Sequence, residues 1–319
     1  MAAATAWIRC QLGQQAIALA GPVTQVHVRP WSTVLRVPTD KGDFYFKATA
    51  PVLADEASLT SALSGWRPDC LPRILAVDRE RGWLLMPDFG VPVRSLIGAG
   101  RDLNHWRRLM PLYAAVQIEV AAHLEELLAL GAMDRRLSVM PSQFEHLLAD
   151  GDAMRIGRSD GLTAAAHAQL VAYRPQFAEL CRQLAGYRIP ETVDHGDFHD
   201  RNVFVKDGRY VIADWGDSCA SHPFTTLVVT LRALAQSFGF DAGGRELREL
   251  RDLYLEPWTR FEPRERLLSA FPLAQQVGMV SRALTWYRVL CSAEGALREK
   301  YAEAVPRWLK SVLDAIPAG

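Results

Sequence analysis

The chain has 319 residues, of which 49% are hydrophobic and 23% are charged, a composition typical of a globular protein with sizeable cores. Its 36 basic residues balance its 36 acidic residues, so neither nucleic acid nor an anionic membrane is indicated as a partner. The N-terminal segment lacks the unbroken apolar core of a signal peptide, and no run approaches the ~20 apolar residues of a membrane span. Five scattered cysteines without CxxC spacing predict reduced thiols in a cytoplasmic protein.

Three segments near the start of the chain predict antiparallel strands. QVHVRP and STVLRVPT are joined at Pro30-Trp31, and DFYFKA follows a short Asp-Lys-Gly turn. The first connection contains no glycine, but its backbone N–H groups and the hydroxyls of Ser32 or Thr33 would suit phosphate oxygens. An ordinary hairpin connection explains the same residues equally well.

Lys47 stands out because the chain has five lysines against 31 arginines. Strand alternation places it beside Tyr45 on one face, opposite Phe44 and Phe46. Its ammonium group would hold phosphate oxygens if a carboxylate fixed it. The helix predicted from PVLADEASLTSALSGW supplies Glu56 for that purpose. The alternative is an edge-strand lysine that faces water.

The segment GWLLMPDFG predicts a buried strand from Trp83 to Met86. Proline stops a strand ladder and glycine frees the backbone, so the strand should end near Pro87 and Gly90 in a hinge. The backbone groups from Met86 to Phe89 are the expected contacts of a nucleotide base. A plain strand-to-helix loop fits the same sequence.

Beyond residue 90 the apolar periodicity becomes helical. Helices are predicted from Leu109 to Leu127 with Gly131 as the cap, and over Gly161–Leu184, Thr225–Phe238, Arg245–Tyr254, Gln275–Ala293 and Ala296–Ala315. On the first of these stripes, His123 is expected to be a core histidine. The predicted fold is α+β with two lobes: a small antiparallel-sheet lobe with one helix over residues 1–89, ending at the hinge near 86–90, and a larger, mainly helical lobe over 90–319.

The segment DHGDFHDRNVFVKDGRYVIADWGDS, residues 194–218, carries the residues that indicate chemistry. Asp197 can orient and deprotonate an attacking hydroxyl, while Asn202 and Asp214 supply hard oxygen ligands for Mg²⁺. VFVK and RYVIA alternate around an Asp-Gly pair, which predicts a two-residue hairpin. Pairing across that hairpin would bring Asn202 and Asp214 to the same end, about one residue out of register. Together they predict a phosphoryl-transfer site.

A competing motif shares these letters. GDFHDR, residues 196–201, is similar to a GDxxDR block of the dinuclear metallophosphoesterases. That chemistry needs several further histidines to hold two transition metals. Downstream of the block the chain has only His222, which disfavours this interpretation.

With these motifs together, the chain resembles the aminoglycoside phosphotransferase and choline kinase group of small-molecule kinases, whose fold is protein-kinase-like. The resemblance lies in HGDFHDRN, residues 195–202, and in VIADWG, residues 211–216. It implies Asp197 as the catalytic base, Asn202 and Asp214 as the Mg²⁺ ligands, and Lys47 as the phosphate-binding cation paired with Glu56.

Two departures put the subfamily in doubt. Asp200-Arg201 replaces a Pro-Gly pair that is often seen in the loop, and Arg201 would contact the transferred phosphate or form a salt bridge. The Asp-x-x-x-Asp-Leu pattern of many relatives is replaced by SHPFTTL, residues 221–227. A hydroxyl must therefore brace the catalytic loop, unless Asp217 does so from elsewhere.

The acceptor pocket is expected between the hairpin and the C-terminal helices. Asp217, Trp286, Tyr287 and Glu294 would line it, with carboxylates for a cationic amine and aromatic rings for sugar or ammonium faces. Packing in the core is the alternative for Trp286 and Tyr287. The sequence does not select among amino sugars, aminoglycosides, fructosamines, choline-like amines and amino-alcohols, although its mixed charges disfavour a dedicated antibiotic site.

The function predicted from the sequence is an ATP- and Mg²⁺-dependent transfer of the γ-phosphate to a hydroxyl of a small molecule, with GTP not excluded as the donor. The alternative is a nucleotide-binding pseudokinase that regulates a partner, but the base, the lysine and both metal ligands are retained. Protein-kinase activity is disfavoured because no Ala-Pro-Glu segment follows Asp214. The oligomeric state is not indicated.

Overall fold

The computed structural model describes residues 1–98 and 102–316, and its backbone divides into two compact units. Unit 1 comprises Met1–Asp102, Ala129–Ala132 and Asp200–Asp217; unit 2 comprises Leu103–Leu128, Met133–His199 and Ser218–Gly319. The sequence suggested one change of lobe near residues 86–90. In the structure, residues 200–217, which include the β-hairpin after Asp200, belong to the same compact unit as the N-terminal strands.

The secondary structure of the described residues is mixed. The strands are β1 Thr24–Arg29, β2 Ser32–Thr39, β3 Gly42–Thr49, β4 Ala76–Asp78, β5 Trp83–Pro87, β6 Val91–Pro92, β7 Met133–Asp134, β8 Thr192–Asp194, β9 Val203–Lys206, β10 Arg209–Ile212 and β11 Cys219–Ser221. The helices are α1 Ala2–Gln14, α2 Asp55–Trp66, α3 Val93–Ile97, α4 Asn104–Val120, α5 Leu124–Ala129, α6 Met140–Ala149, α7 Ala164–Ala185, α8 Leu227–Phe238, α9 Arg245–Leu255, α10 Arg264–Ser292, α11 Gly295–Tyr301 and α12 Ala304–Ala315. Within those ranges, no helix has both the length and the apolar character that crossing a bilayer requires.

Unit 1 is built on a five-stranded antiparallel sheet in the order β1-β2-β3-β5-β4. As the alternation predicted, Phe44 and Phe46 are buried on one face of β3. They pack with Ile8 and Leu12 of α1, a helix that the sequence analysis did not assign. The other face of the sheet carries Lys47.

Unit 1 also contains a second sheet in the order β10-β9-β6. Asp207 and Gly208, between β9 and β10, have φ angles of 51° and 76°, as a two-residue type I′ turn requires. Gly90 has a φ of 86°, and a Cβ added there would lie 2.2 Å from the carbonyl oxygen of Val205. Only glycine therefore lets the chain after β5 approach β9 so closely.

Unit 2 is mainly helical around a short sheet in the order β7-β11-β8. The helix predicted over Thr225–Phe238 is a 3₁₀ turn followed by α8. The helix predicted over Arg245–Tyr254 is α9. Helix α10 begins at Arg264, eleven residues before the predicted start, because Pro272 is accommodated inside it. Proline costs one backbone hydrogen bond there, and burial of one face of this 29-residue helix outweighs the loss.

One expectation for unit 2 is wrong. His123 was expected in the core, but its side chain is 35% exposed and its Nδ1 lies 3.4 Å from a carboxylate oxygen of Glu126. The helical stripe is interrupted by a 3₁₀ turn at Ala121–His123. Three residues per turn instead of 3.6 rotate the histidine off the buried face.

Candidate functional site

A cation lies between two carboxylates in unit 1. The Nζ of Lys47 lies 2.5 Å from Oε1 of Glu56 on α2 and 2.5 Å from Oδ1 of Asp214, which follows β10. Ala57 and Leu63 of α2 are buried, as predicted. Their burial fixes the orientation of the helix, and in that orientation Glu56 reaches the lysine. The structure therefore brings together three of the predicted site residues.

The electrostatics of this cluster favour additional positive charge. Burial lowers the pKa of Lys47, but Asp214 and Glu56 outweigh it and raise the pKa well above its ordinary value, so the ammonium form persists. For Glu56, burial raises the pKa, Lys47 opposes the rise, and the charges on Asp214 and Asp217 add to it. The carboxylates outnumber the one lysine, so a bound cation would relieve their mutual repulsion.

Asn202 and Asp214 lie at the same end of the β9–β10 hairpin. Ile212 pairs with Val203, and the N–H of Ala213 donates to the carbonyl of Asn202 at 2.8 Å. Asn202 therefore faces Ala213, one residue short of Asp214, as the hairpin register predicted. Asp214 is 53% exposed at its side chain, so its carboxylate is accessible to a ligand.

The donor set fits Mg²⁺. An amide oxygen and a carboxylate are hard ligands, and Mg²⁺ is commonly held by one or two protein carboxylates plus substrate phosphates and water. Asp214 also has a φ of 69°, a left-handed conformation that costs a non-glycine residue ~1–2 kcal/mol and that concentrates at functional sites. Among the described residues no three His, Cys, Asp or Glu side chains gather as a metal site, and a site completed by phosphates does not need them.

The expected nucleotide contacts all lie in unit 1. Ser32 and Thr33 begin β2 and are half-buried. Met86 is buried in a small cluster with Ala57 and Leu84, against which Phe89 packs. Strand β4 pairs with Trp83–Leu85 of β5. Met86 lies beyond the end of β4, so β4 does not pair with its backbone.

A carboxylate lies between a guanidinium group and an imidazole ring in unit 2. Asp197 Oδ1 lies 3.1 Å from a guanidinium nitrogen of Arg282, and its Oδ2 lies 3.2 Å from Nε2 of His199. Burial raises the pKa of Asp197, but the hydrogen bond from His199 and the charge on Arg282 outweigh it and hold the pKa well below its ordinary range. Asp197 is therefore ionised and fixed in orientation.

Hydroxyl groups brace the loop that carries Asp197. Thr225 donates to Oδ2 of the buried Asp194 at 2.7 Å, and Thr230 donates to the carbonyl of Phe198 at 2.9 Å. The Tyr113 hydroxyl accepts from the N–H of His195 at 2.9 Å. Hydroxyl groups thus contact the loop at three points. The sequence had left open whether a hydroxyl or Asp217 braces this loop, and the structure shows hydroxyls in that position.

The four expected acceptor residues are divided between the two units. Asp217 belongs to unit 1, where its charge acts on Glu56. Trp286, in unit 2, stacks on Tyr301 at 5.7 Å between ring centroids, with the Arg282 guanidinium 5.8 Å from its ring. The Tyr287 hydroxyl donates a hydrogen bond to Asp150. Glu294 is exposed and immediately precedes α11.

Two residues of these clusters were missed from the sequence. Arg282 lies 85 positions from Asp197, and in a chain with 31 arginines no local pattern distinguishes it. His27 of β1 interacts electrostatically with Asp214 and Lys47, and burial together with neighbouring cations lowers its pKa. Its position in the strand before the Pro30-Trp31 connection was the available signal.

Residues 33–266, well over half of the chain, match the phosphotransferase enzyme family (APH). The chain belongs to this family. It is therefore a phosphotransferase. No curated protein matches the sequence.

Solved structures show the same protein-kinase-like α+β fold. An ethanolamine kinase from Plasmodium vivax is 11% identical, with a TM-score of 0.62, over 98% of this chain and 88% of its own. The GDP complex of a mutant aminoglycoside 2'-phosphotransferase-IIIa is 14% identical, with a TM-score of 0.61, over 98% and 97% of the two chains. The amicoumacin kinase hAmiN, in complex with AMP-PNP, Ca²⁺ and Ami, is 14% identical with a TM-score of 0.58, over 97% and 94%. These structures confirm the predicted fold class.

Proposed function

We propose that this phosphotransferase moves the γ-phosphate of ATP to a hydroxyl of a small molecule in a reaction that requires Mg²⁺. The observation that carries the proposal is the position of Lys47, whose ammonium group contacts both Glu56 and Asp214 at 2.5 Å. A buried lysine fixed in this way presents one positive charge beside the carboxylate best placed to hold a metal.

Each residue then has a distinct role. Lys47 would bind the α/β-phosphates, with Glu56 fixing the direction of its side chain. Asn202 and Asp214 would hold Mg²⁺, which when bound neutralises charge on the phosphates and on the leaving group. Asp197 would orient the acceptor hydroxyl and accept its proton, a role that suits a carboxylate kept ionised by Arg282.

The nucleotide base would bind along the backbone from Met86 to Phe89, where β4 no longer covers β5. Ser32 and Thr33 would contact the phosphates from the start of β2. GTP is the alternative donor: one structure of similar fold holds GDP and another holds AMP-PNP. For the acceptor, we propose Asp217 and Trp286 as contacts of an amine or sugar.

A coupled assay of nucleoside diphosphate release tests the proposal. The protein is incubated with MgATP or MgGTP and with amino sugars, aminoglycosides, ketosamines, choline-like amines and amino-alcohols in turn, and phosphorylated products are identified by mass spectrometry. We expect acceptor-dependent release that is abolished by EDTA and by Asp214→Asn. Equal product formation by that variant, or in EDTA, would refute the assigned metal site.

A further inference from the structure

A cavity of about 500 Å³ lies within unit 2, between β7, α6 and α10. This volume is in the range of small-molecule sites. Its lining includes Arg135 and Arg288 together with Ser142, His146, Leu284 and Tyr287. None of these residues has a role in the reaction proposed above, although the sequence alone indicated Tyr287 as an acceptor contact.

Arg135 is the unusual member of this lining. It is only 9% exposed, and within the described part of the chain its Nε is buried without a hydrogen-bond partner. The partners of its other guanidinium nitrogens are uncharged: the amide oxygen of Gln143 and, at 3.9 Å, the sulfur of Met133. A buried guanidinium normally pairs with an anion, because removing its charge from water is costly.

The charges around Arg135 oppose one another. Burial lowers its pKa most, Cys219 and Asp134 raise it, and the like charge of Arg288 lowers it. The carboxylate in the lining, Asp134, is already engaged by Arg136, with contacts of 2.8 Å and 3.0 Å to the guanidinium. The carboxylate of the lining is therefore already paired with Arg136, and Arg135 has no carboxylate of the lining as its own partner.

In a second arginine-rich cavity, an arginine forms ion pairs with carboxylates of the protein itself. Arg155, which lines a cavity of about 260 Å³, pairs with Asp160 at 2.9 Å and with Glu299 at 2.7 Å. Its charge is already compensated by the protein. The contrast indicates that Arg135 is arranged for a partner that the chain itself does not supply.

We propose that the cavity bounded by β7, α6 and α10 binds a small molecule through an anionic group, a carboxylate or a phosphate, held by Arg135 and Arg288. The body of the ligand contacts Leu284 and the Tyr287 ring, and Ser142 offers a hydroxyl for a further polar group. The inference is independent of the proposed phosphate transfer, because the site is defined by residues outside the Lys47 and Asp197 clusters.

The test measures anion-dependent thermal stabilisation of the full chain. Inorganic phosphate and sodium acetate are titrated separately against sodium chloride of matched ionic strength. Wild type should be stabilised by at least one of the two, and the arm that acts identifies the anionic group. Arg135→Met and Arg288→Gln should each weaken the apparent affinity for that anion by roughly tenfold or more.

Two controls separate this site from others that bind anions. Arg182→Gln removes an exposed arginine of α7 that does not line the cavity, and Lys47→Met removes the ammonium group of the Lys47 cluster. Both should keep the anion response of wild type. In chloride alone, Arg135→Met should be at least as stable as wild type, because it replaces a buried charge that has no counter-ion with an apolar chain of similar shape.

The proposal is overturned if neither anion stabilises wild type more than chloride does. It is also overturned if Arg135→Met retains the response, or if Arg182→Gln loses it to the same degree. Should Arg135→Met fail to fold, the response of Arg288→Gln decides the question by itself.

Discussion

The Lys47 cluster of unit 1 and the Asp197 cluster of unit 2 are electrostatic opposites. In the first, one ammonium lies between two carboxylates; in the second, one carboxylate lies between a guanidinium and a histidine. The first attracts a further cation and the second keeps an anion ionised. The difference is consistent with the separate tasks proposed for the two clusters, the binding of the metal–nucleotide complex and the activation of the acceptor.

The largest expected effect comes from the second cluster. Asp197→Asn should lower turnover by about 10²–10⁴-fold, the usual contribution of a positioned base, while nucleotide affinity changes little. Steady-state kinetics on an acceptor found by the screen, together with calorimetric titration of AMP-PNP, would measure both quantities. Wild-type turnover in this variant would remove Asp197 from the mechanism.

The next effect concerns the first cluster. Lys47→Met should weaken binding of MgATP by roughly 10- to 100-fold, because charge-assisted hydrogen bonds to phosphate are lost. Lys41→Met is the matched control, since Lys41 is exposed in the turn between β2 and β3. If both variants bind nucleotide like wild type, the division of tasks between the clusters fails.

A smaller effect tests how Asp197 is held. We expect Arg282→Met to lower turnover roughly tenfold through misplacement of the carboxylate, with Arg282→Lys intermediate and the KM for nucleotide unchanged. Because Arg282 lowers the pKa of Asp197, its removal should also move the acid limb of the pH–rate profile to higher pH. A merely structural arginine would leave that limb in place.

The smallest effect contrasts Asp197 with a buried group that has no counter-charge. Burial lowers the pKa of His222 to about 3, so below its unfolded pKa of ~6.5 only the unfolded chain takes up the proton. This histidine therefore costs stability as the pH falls, up to ~1.4 kcal/mol per pH unit.

His222→Asn should reduce the dependence of stability on pH, because asparagine does not take up a proton in this range. The asparagine side chain can still accept a hydrogen bond from the N–H of Phe224, as Nδ1 of His222 does now at 3.2 Å. Urea unfolding at several values between pH 4 and pH 7 gives the slopes of both proteins. Identical slopes would show that the buried ring does not resist protonation.

What the sequence predicted well was local or periodic. Lys47 and Glu56 are nine residues apart on a strand and the helix that follows it, and alternation with helical periodicity placed both. The Asp207-Gly208 turn fixed the register that brings Asn202 beside Asp214, because both turn residues adopt positive φ. These features follow from short-range rules.

What it missed depends on long-range packing. Arg282 contacts Asp197 only because α10 lies against the loop, and Pro272 concealed the true start of that helix. Helices α1 and α6 were not assigned, although both bury apolar side chains. The anion cavity needs β7, α6 and α10 at once, so no single segment could indicate it.

The backbone at Asp214 has a consequence for how the enzyme can change. Its φ of 69° is one that glycine adopts without strain, so replacement by glycine would relax the main chain while deleting the carboxylate. Under the proposed role of Asp214, selection for stability and selection for turnover oppose each other at this position. A catalytically inactive descendant that still folds would then lie one substitution away.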